Sequence, residues 1–134
     1  MRSVSVTSFL LLAIILSGCG PKVPVPVPVH GKVTLDGKPL AEGQIVFITP
    51  GQVPEFIDIR DGTYDGRAKW GPRRVEVAAY RPYQIPADIP KSMHALMEGG
   101  KENYLPDRYH TKSTLTAEIL ADGPNEFNFE LSSK

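Results

Sequence analysis

With only one cysteine, Cys19, the chain cannot form an intramolecular disulfide, so an exported form has to be stable without one. It also lacks a charge surplus: 15 basic residues face 15 acidic ones for a formal net charge of zero. That removes the basic surface nucleic acid would need. Long helices are excluded too, because thirteen prolines and twelve glycines fall within 134 residues. Short strands joined by turns tolerate such a composition. No apolar run approaches the roughly 20 residues of a membrane-spanning helix. Finally, no serine or cysteine nucleophile stands in a local frame with a base, and "HALME" (His94 to Glu98) is not the H-E-x-x-H of a zinc protease. The 41% hydrophobic content suits one domain of ordinary core size.

The N-terminus is more specific. Met1 to Gly18 carries Arg2 as its one charge, then the apolar run Phe9 to Leu16, then small residues, which is the layout of a secretory signal. Leu16, Ser17, Gly18 and Cys19 resemble the bacterial lipobox. That resemblance implies cleavage before Cys19 and a diacyl anchor on that cysteine, and buried acyl methylenes at about 0.8 kcal/mol each hold such a protein on a membrane. Gly20 stands where some bacteria place an inner-membrane retention aspartate, which leans toward the outer membrane and leaves the membrane and its face open. From Pro21 to Val29 alternate prolines fix φ and remove donors, predicting an extended spacer. The expected organisation is a signal over 1–18, a lipidated cysteine and spacer over 19–28, and one folded domain over 29–134.

Strand periodicity dominates the folded part. Val29, Gly31, Val33 and Leu35 alternate with polar residues up to the Asp36-Gly37 turn. Gln44 to Thr49 is apolar on both faces and reads as a central strand. Glu55 to Arg60 and Thr63 to Ala68 flank Asp61-Gly62 as a hairpin. Arg73 to Tyr80 alternates, with Val75, Val77 and Ala79 inward. Thr114 to Leu120 and Asn125 to Leu131 flank Asp122-Gly123. Seven strands imply an all-β Greek-key sandwich in which the long segment Arg81 to Ser113 crosses between sheets. Within it, Lys91 to Glu98 reads as two helical turns, with Asp88 as the cap and Gly99-Gly100 as the stop. Tyr104, Leu105, Tyr109, Met93, Leu96 and Met97 are expected to pack the connection down.

"HGKVTLDGKPLAEGQIVF" (His30 to Phe47) resembles the opening of carboxypeptidase regulatory-like domains. "NYLPDRYHTKSTLTAEI" (Asn103 to Ile119) and "NEFNFEL" (Asn125 to Leu131) are similar to the distal half of small bacterial lipoproteins carrying that domain. The resemblance spans the whole mature domain and implies a prealbumin-like (transthyretin-like) seven-stranded β-sandwich. "KWGPRRV" (Lys69 to Val75) departs from it, being shorter and more basic than the glycine-bearing loop expected there. Little chemistry comes with the family. The zinc ligands belong to a separate carboxypeptidase domain, and the Y-R-G-S ending of the related hydroxyisourate hydrolases is replaced here by Phe129, Glu130, Leu131, Ser132, Ser133 and Lys134.

No catalytic residue, metal site or cofactor is expected. "DIRDGTYDG" (Asp58 to Gly66) places three carboxylates near a turn, but Asp61-Gly62 is accounted for as a hairpin and calcium needs six or more oxygens in a defined spacing. The candidate ligand-binding set is Trp70, Arg73, Arg74, Tyr80, Tyr83, Tyr104 and Tyr109, set against a purely packing role for the aromatics. The expected function is that of a non-catalytic envelope lipoprotein acting as a binding or scaffolding module. It would be held to a membrane through lipid on Cys19 and would engage envelope proteins or glycans, not nucleic acid. Two other readings stay open: an envelope hydrolase or metal-dependent enzyme with a site assembled from distant residues, and a self-associating structural protein.

Overall fold

The computed structural model describes Gly20 and residues 23–134. The signal segment, the lipobox and Cys19 lie outside the described residues.

The fold is an all-β sandwich. Its seven principal strands correspond one for one to the seven read from periodicity. β1 is Pro26–Leu35, and a two-residue strand β2, Lys38–Pro39, turns back on it after Asp36-Gly37. β3 (Glu42–Ile48), β4 (Glu55–Arg60), β5 (Thr63–Lys69) and β6 (Gly71–Ala78) follow. A long excursion then carries β7 (Tyr80–Pro82), α1 (Lys91–Met97), β8 (Lys101–Asn103) and a 3-10 turn at Asp107–Tyr109. β9 (Leu115–Ile119) and β10 (Phe129–Leu131) close the chain.

The pairing order β10-β1-β5-β4-β3-β6-β9 is a single path that bends at one place. β4 and β5 are in register only beside their turn, at Ile59 with Tyr64 and Arg60 with Thr63. Beyond that point they part, and the β10-β1-β5 layer packs on the β4-β3-β6-β9 layer. Val29, Val33, Tyr64, Ala68 and Leu131 from the first layer share one core with Ile45, Phe47, Val75, Val77 and Ile119 from the second. The rings of Phe47 and Tyr64 meet across the two layers at 6.3 Å.

Four features differ from the sequence expectation, each for a local reason. First, β1 begins at Pro26 rather than Val29, so residues 26–28, expected as spacer, pair with Lys69, Ala68 and Arg67 of β5. The prolines permit this because of their parity. The amides of His30 and Lys32 point away from β5, to the Asn125 carbonyl (3.1 Å) and the Asn128 side chain (2.8 Å). By the two-residue period, Pro26 and Pro28 place their missing donors on that same outer edge, where no ladder needs them.

Second, the strand expected at Asn125–Leu131 is regular only from Phe129, because Asn128 Oδ1 takes the Lys32 donor that a backbone carbonyl would take in a straight ladder. Third, the 81–113 connection does not carry the chain between layers. It returns to β9, which pairs antiparallel with β6 in the same layer. After β6 the chain changes layer only between β9 and β10. Fourth, α1 is capped at Pro90 with no side-chain hydrogen bond, so Asp88 does not serve, and the helix buries nothing. Met93 and Leu96 are exposed, and Met97 is half-buried without joining the core, whereas Tyr104, Leu105 and Tyr109 do pack against it.

The excursion is fastened by a residue that periodicity does not reveal. Asn103 Oδ1 accepts from the amides of Ala79 (3.2 Å) and Leu105 (3.1 Å), and Tyr104 N donates to the Ala79 carbonyl (3.0 Å). Ala79 is thus where the chain leaves β3 as a partner and takes up β8.

Candidate functional site

The candidate residues divide among three places. Tyr80 and Tyr104 come together. They flank an open groove of about 960 Å³ between the outer face of β3 and β4 and the β7–β8 hairpin. Its floor carries Gln44, whose Nε2 donates to Asp58 Oδ1 at 3.2 Å, and its rim carries Glu42, Arg60 and Lys101. Tyr80 is 57% exposed, a large ring left on the surface. Tyr104 is held more firmly: its ring packs on the core and takes the Arg81 guanidinium at 5.7 Å from its centroid, with Arg81 itself fixed by Glu102 at 2.7 Å. Tyr83 sits on the same hairpin, its amide donating to the Gly100 carbonyl at 2.8 Å. The groove therefore offers an exposed aromatic face together with amide, carboxylate and ammonium groups, a chemistry suited to polar ligands with flat or CH-rich faces.

Trp70, Arg73 and Arg74 lie at the opposite end of the strands, at the β5–β6 turn. Arg73 is not a surface residue. It falls in phase with Val75 and Val77 on the inner face of β6 and is 5% exposed. Nη2 donates to the Trp70 carbonyl at 2.9 Å and Nη1 to that of Pro72 at 3.1 Å, while Nε has no hydrogen-bond partner and faces Glu55 at 3.9 Å. Glu55 also accepts from the Lys69 amide at 3.1 Å, so one carboxylate ties the ends of β4, β5 and β6 together. The role of Arg73 is thus cohesive. The alternation of β6, extended two residues upstream of Val75, carried the signal for it. Trp70 is half-buried against the core, and Arg74 is paired on the outer face with Glu76 at 2.6 Å.

Tyr109 stands apart from both clusters. Its hydroxyl accepts from the Ser132 amide at 2.9 Å, and Arg108 lies 4.8 Å from its ring centroid. Burial alone would push this phenol up, but hydrogen bonds from Arg108 and Ser132 outweigh it and hold the group below its ordinary range. It secures the C-terminal residues.

His94 and His110 are each turned onto a main-chain carbonyl. The first turns its Nε2 onto the Ile89 carbonyl (3.1 Å) and the second onto that of Leu105 (3.0 Å), with Asp107 beside it at 3.4 Å. Among the described residues no group of three His, Cys, Asp or Glu side chains could hold a metal ion. Asp58 is engaged by Gln44 and lies 3.7 Å from Arg60.

Comparison with protein-family models, with curated proteins and with solved structures finds no match to this chain.

Proposed function

We propose that the protein is a non-catalytic, membrane-anchored envelope module that binds a polar envelope ligand, a glycan or a protein segment, in the Tyr80–Tyr104 groove. The anchor is lipid on Cys19, as the lipobox-like Leu16, Ser17 and Gly18 imply, and the resemblance to carboxypeptidase regulatory-like domains agrees with a domain that carries no chemistry of its own. The observation that carries the reading is the exposed ring of Tyr80 in the same groove as the Gln44–Asp58 pair: an aromatic left on the surface in a cleft that also carries donors and acceptors. The pairing registers put this groove at the end of β3 and β4 farthest from the start of β1, so a tethered domain presents it away from the anchor.

A photo-crosslinking amino acid at position 80 in the full-length protein, activated in native envelopes, tests this. The expected product is one adduct, sensitive either to protease or to a glycan-degrading enzyme, and absent when the same probe stands at Thr116 on β9. Adducts of equal yield from both positions, or none from position 80, overturn the groove as the binding site.

A further inference from the structure

We propose that the end of the sandwich where β1 begins is itself a bilayer-contacting surface, seated on lipid by Val53, Leu120 and the Trp70 turn. The inference rests on the reading of Cys19 as lipidated and goes beyond it by assigning the anchor a partner surface on the folded domain.

Strand directions define this end. β1 and β6 start there, at Pro26 and Gly71. β5 and β9 finish there, at Lys69 and Ile119, as the registers Pro26 with Lys69 and Gly71 with Ile119 record. β3 also finishes and β4 starts there, with Ile48 beside Arg74 and Phe47 beside Glu55. The hydrogen bond from Lys69 to Glu55 and the Arg73–Glu55 approach bind the two layers at this end into one rim.

The tether is short. Because β1 starts at Pro26, seven chain steps separate it from Cys19, at most about 25 Å even when fully extended. The opposite turn at Asp36-Gly37 lies the length of β1 farther on, about 30 Å. A lipid on Cys19 therefore keeps this rim within a short reach of the headgroups and so raises its effective concentration there, which lets a contact too weak for a free domain form.

The rim is suited to that neighbour. The leader carries Val23 and Val25, 78% and 59% exposed; the β3–β4 loop carries Val53 at 80%; β4 carries Phe56 at 61%; and Leu120, just past β9, is 52% exposed. The other large exposed apolar residues of the described chain, Tyr80, Tyr83, Met93 and Leu96, belong to the excursion that leaves the far end. Three of the four cations at the rim are engaged: Arg67 Nη2 donates to the Pro26 carbonyl at 2.7 Å, Arg73 is buried, and Arg74 pairs with Glu76; the fourth is Lys69. The contact is thus chiefly apolar, and zwitterionic lipid suffices for it.

Trp70, the sole tryptophan, stands at this rim and reports on it directly. The full-length lipidated protein is reconstituted in phosphatidylcholine vesicles with and without brominated acyl chains. The expected result is loss of Trp70 emission in the brominated vesicles, unchanged by added salt, and recovery of emission in Val53→Asp/Leu120→Asp with the protein still vesicle-bound. A nitroxide at position 53 gives an independent reading and is expected to be more lipid-accessible than one at position 38, at the far turn. Vesicle-bound protein whose Trp70 emission ignores the bromines, and whose two labels report the same environment, overturns the contact while leaving the anchor intact. Protein that does not associate with vesicles, and behaves as the Cys19→Ser variant does, removes the anchor and the contact with it.

Discussion

The hydroxyl of Tyr64 donates to the carbonyl of Phe127 at 2.7 Å, reaching across β1 at Gly31 from β5 to the segment that leads into β10. This bond joins three neighbouring segments of one layer through a nearly buried side chain. Burial, with the Glu126 carboxylate nearby, pushes the Tyr64 phenol far above its ordinary value of 10.0. A group whose folded-state pKa is raised contributes stability that is complete below the unfolded value and is lost as pH climbs past it. Chemical denaturation should therefore give a stability that declines above about pH 10 in the native chain and declines less steeply in Tyr64→Phe. At neutral pH, Tyr64→Phe should cost about 1–2 kcal/mol, since the Phe127 carbonyl loses its partner.

Gly31 is required by that same crossing. A Cβ there would overlap the Phe127 carbonyl oxygen and crowd the Tyr64 hydroxyl at 2.9 Å. Gly31→Ala should cost about 3 kcal/mol in a denaturant titration and should open β10 first, visible as faster amide exchange at Phe129 and Leu131. Uniform exchange across all strands would show instead that the clash spreads through the whole core.

Removing Arg73 exposes a different weakness. Its buried guanidinium satisfies two carbonyls and faces Glu55, so Arg73→Ala leaves all three without it at the rim. The expected loss is about 3–5 kcal/mol. Arg73→Met, which refills the volume, should recover stability only in combination with Glu55→Gln, and a double-mutant cycle measures that coupling.

At the far end, Asp36 accepts from the Ser133 hydroxyl at 2.6 Å and from its amide at 2.9 Å. Those bonds, the side-chain one foremost, hold the Asp36 carboxyl below its ordinary 3.8. For a lowered carboxyl the sign reverses: the stabilisation is intact above the unfolded value and fades as pH drops through the folded one. Amide resonances of Ser132 and Ser133 should thus move together, with a midpoint below 3.8. The same titration in Asp36→Asn should be flat.

Replacing Asn103 by Ala removes the one side-chain oxygen that serves both Ala79 and Leu105. The β7–β8 hairpin should loosen by about 1–3 kcal/mol. Protease cleavage between residues 80 and 103 should quicken while the sandwich core stays protected.

Six of the seven principal strands were legible in the sequence because each buries one face and shows period-two alternation, β3 because it is an apolar run buried on both faces, and Asp-Gly pairs mark the turns at Asp36, Asp61 and Asp122. What was hidden depends on tertiary partners. Pro26 and Pro28 look like spacer until the outer edge of β1 is known to need no donors there. Arg73 looks like a surface cation until the inward phase of Val75 is carried back to it. Asn103 and Asn128 act as substitutes for backbone groups, a role set by geometry and without periodicity. Of the aromatic set, only Tyr80, Tyr83 and Tyr104 gather around one hairpin, because the excursion folds back on Ala79. Trp70 and Tyr109, equally aromatic in the sequence, are drawn elsewhere by the β5–β6 turn and the C-terminus.

The alternating prolines of β1 have one more consequence. A repetitive V-P-V-P-V stretch invites its strand to slide along its neighbour, yet a slip of one residue would turn Pro26 and Pro28 toward β5 and deprive that ladder of two donors. A slip of two keeps the donors, but it carries Gly31 out from under Phe127 and puts Val29 or Val33 where no Cβ fits. The repeat and the glycine together act as a ruler with one readable mark: the first forbids odd errors, the second forbids even ones, and a low-complexity sequence is left with a single alignment.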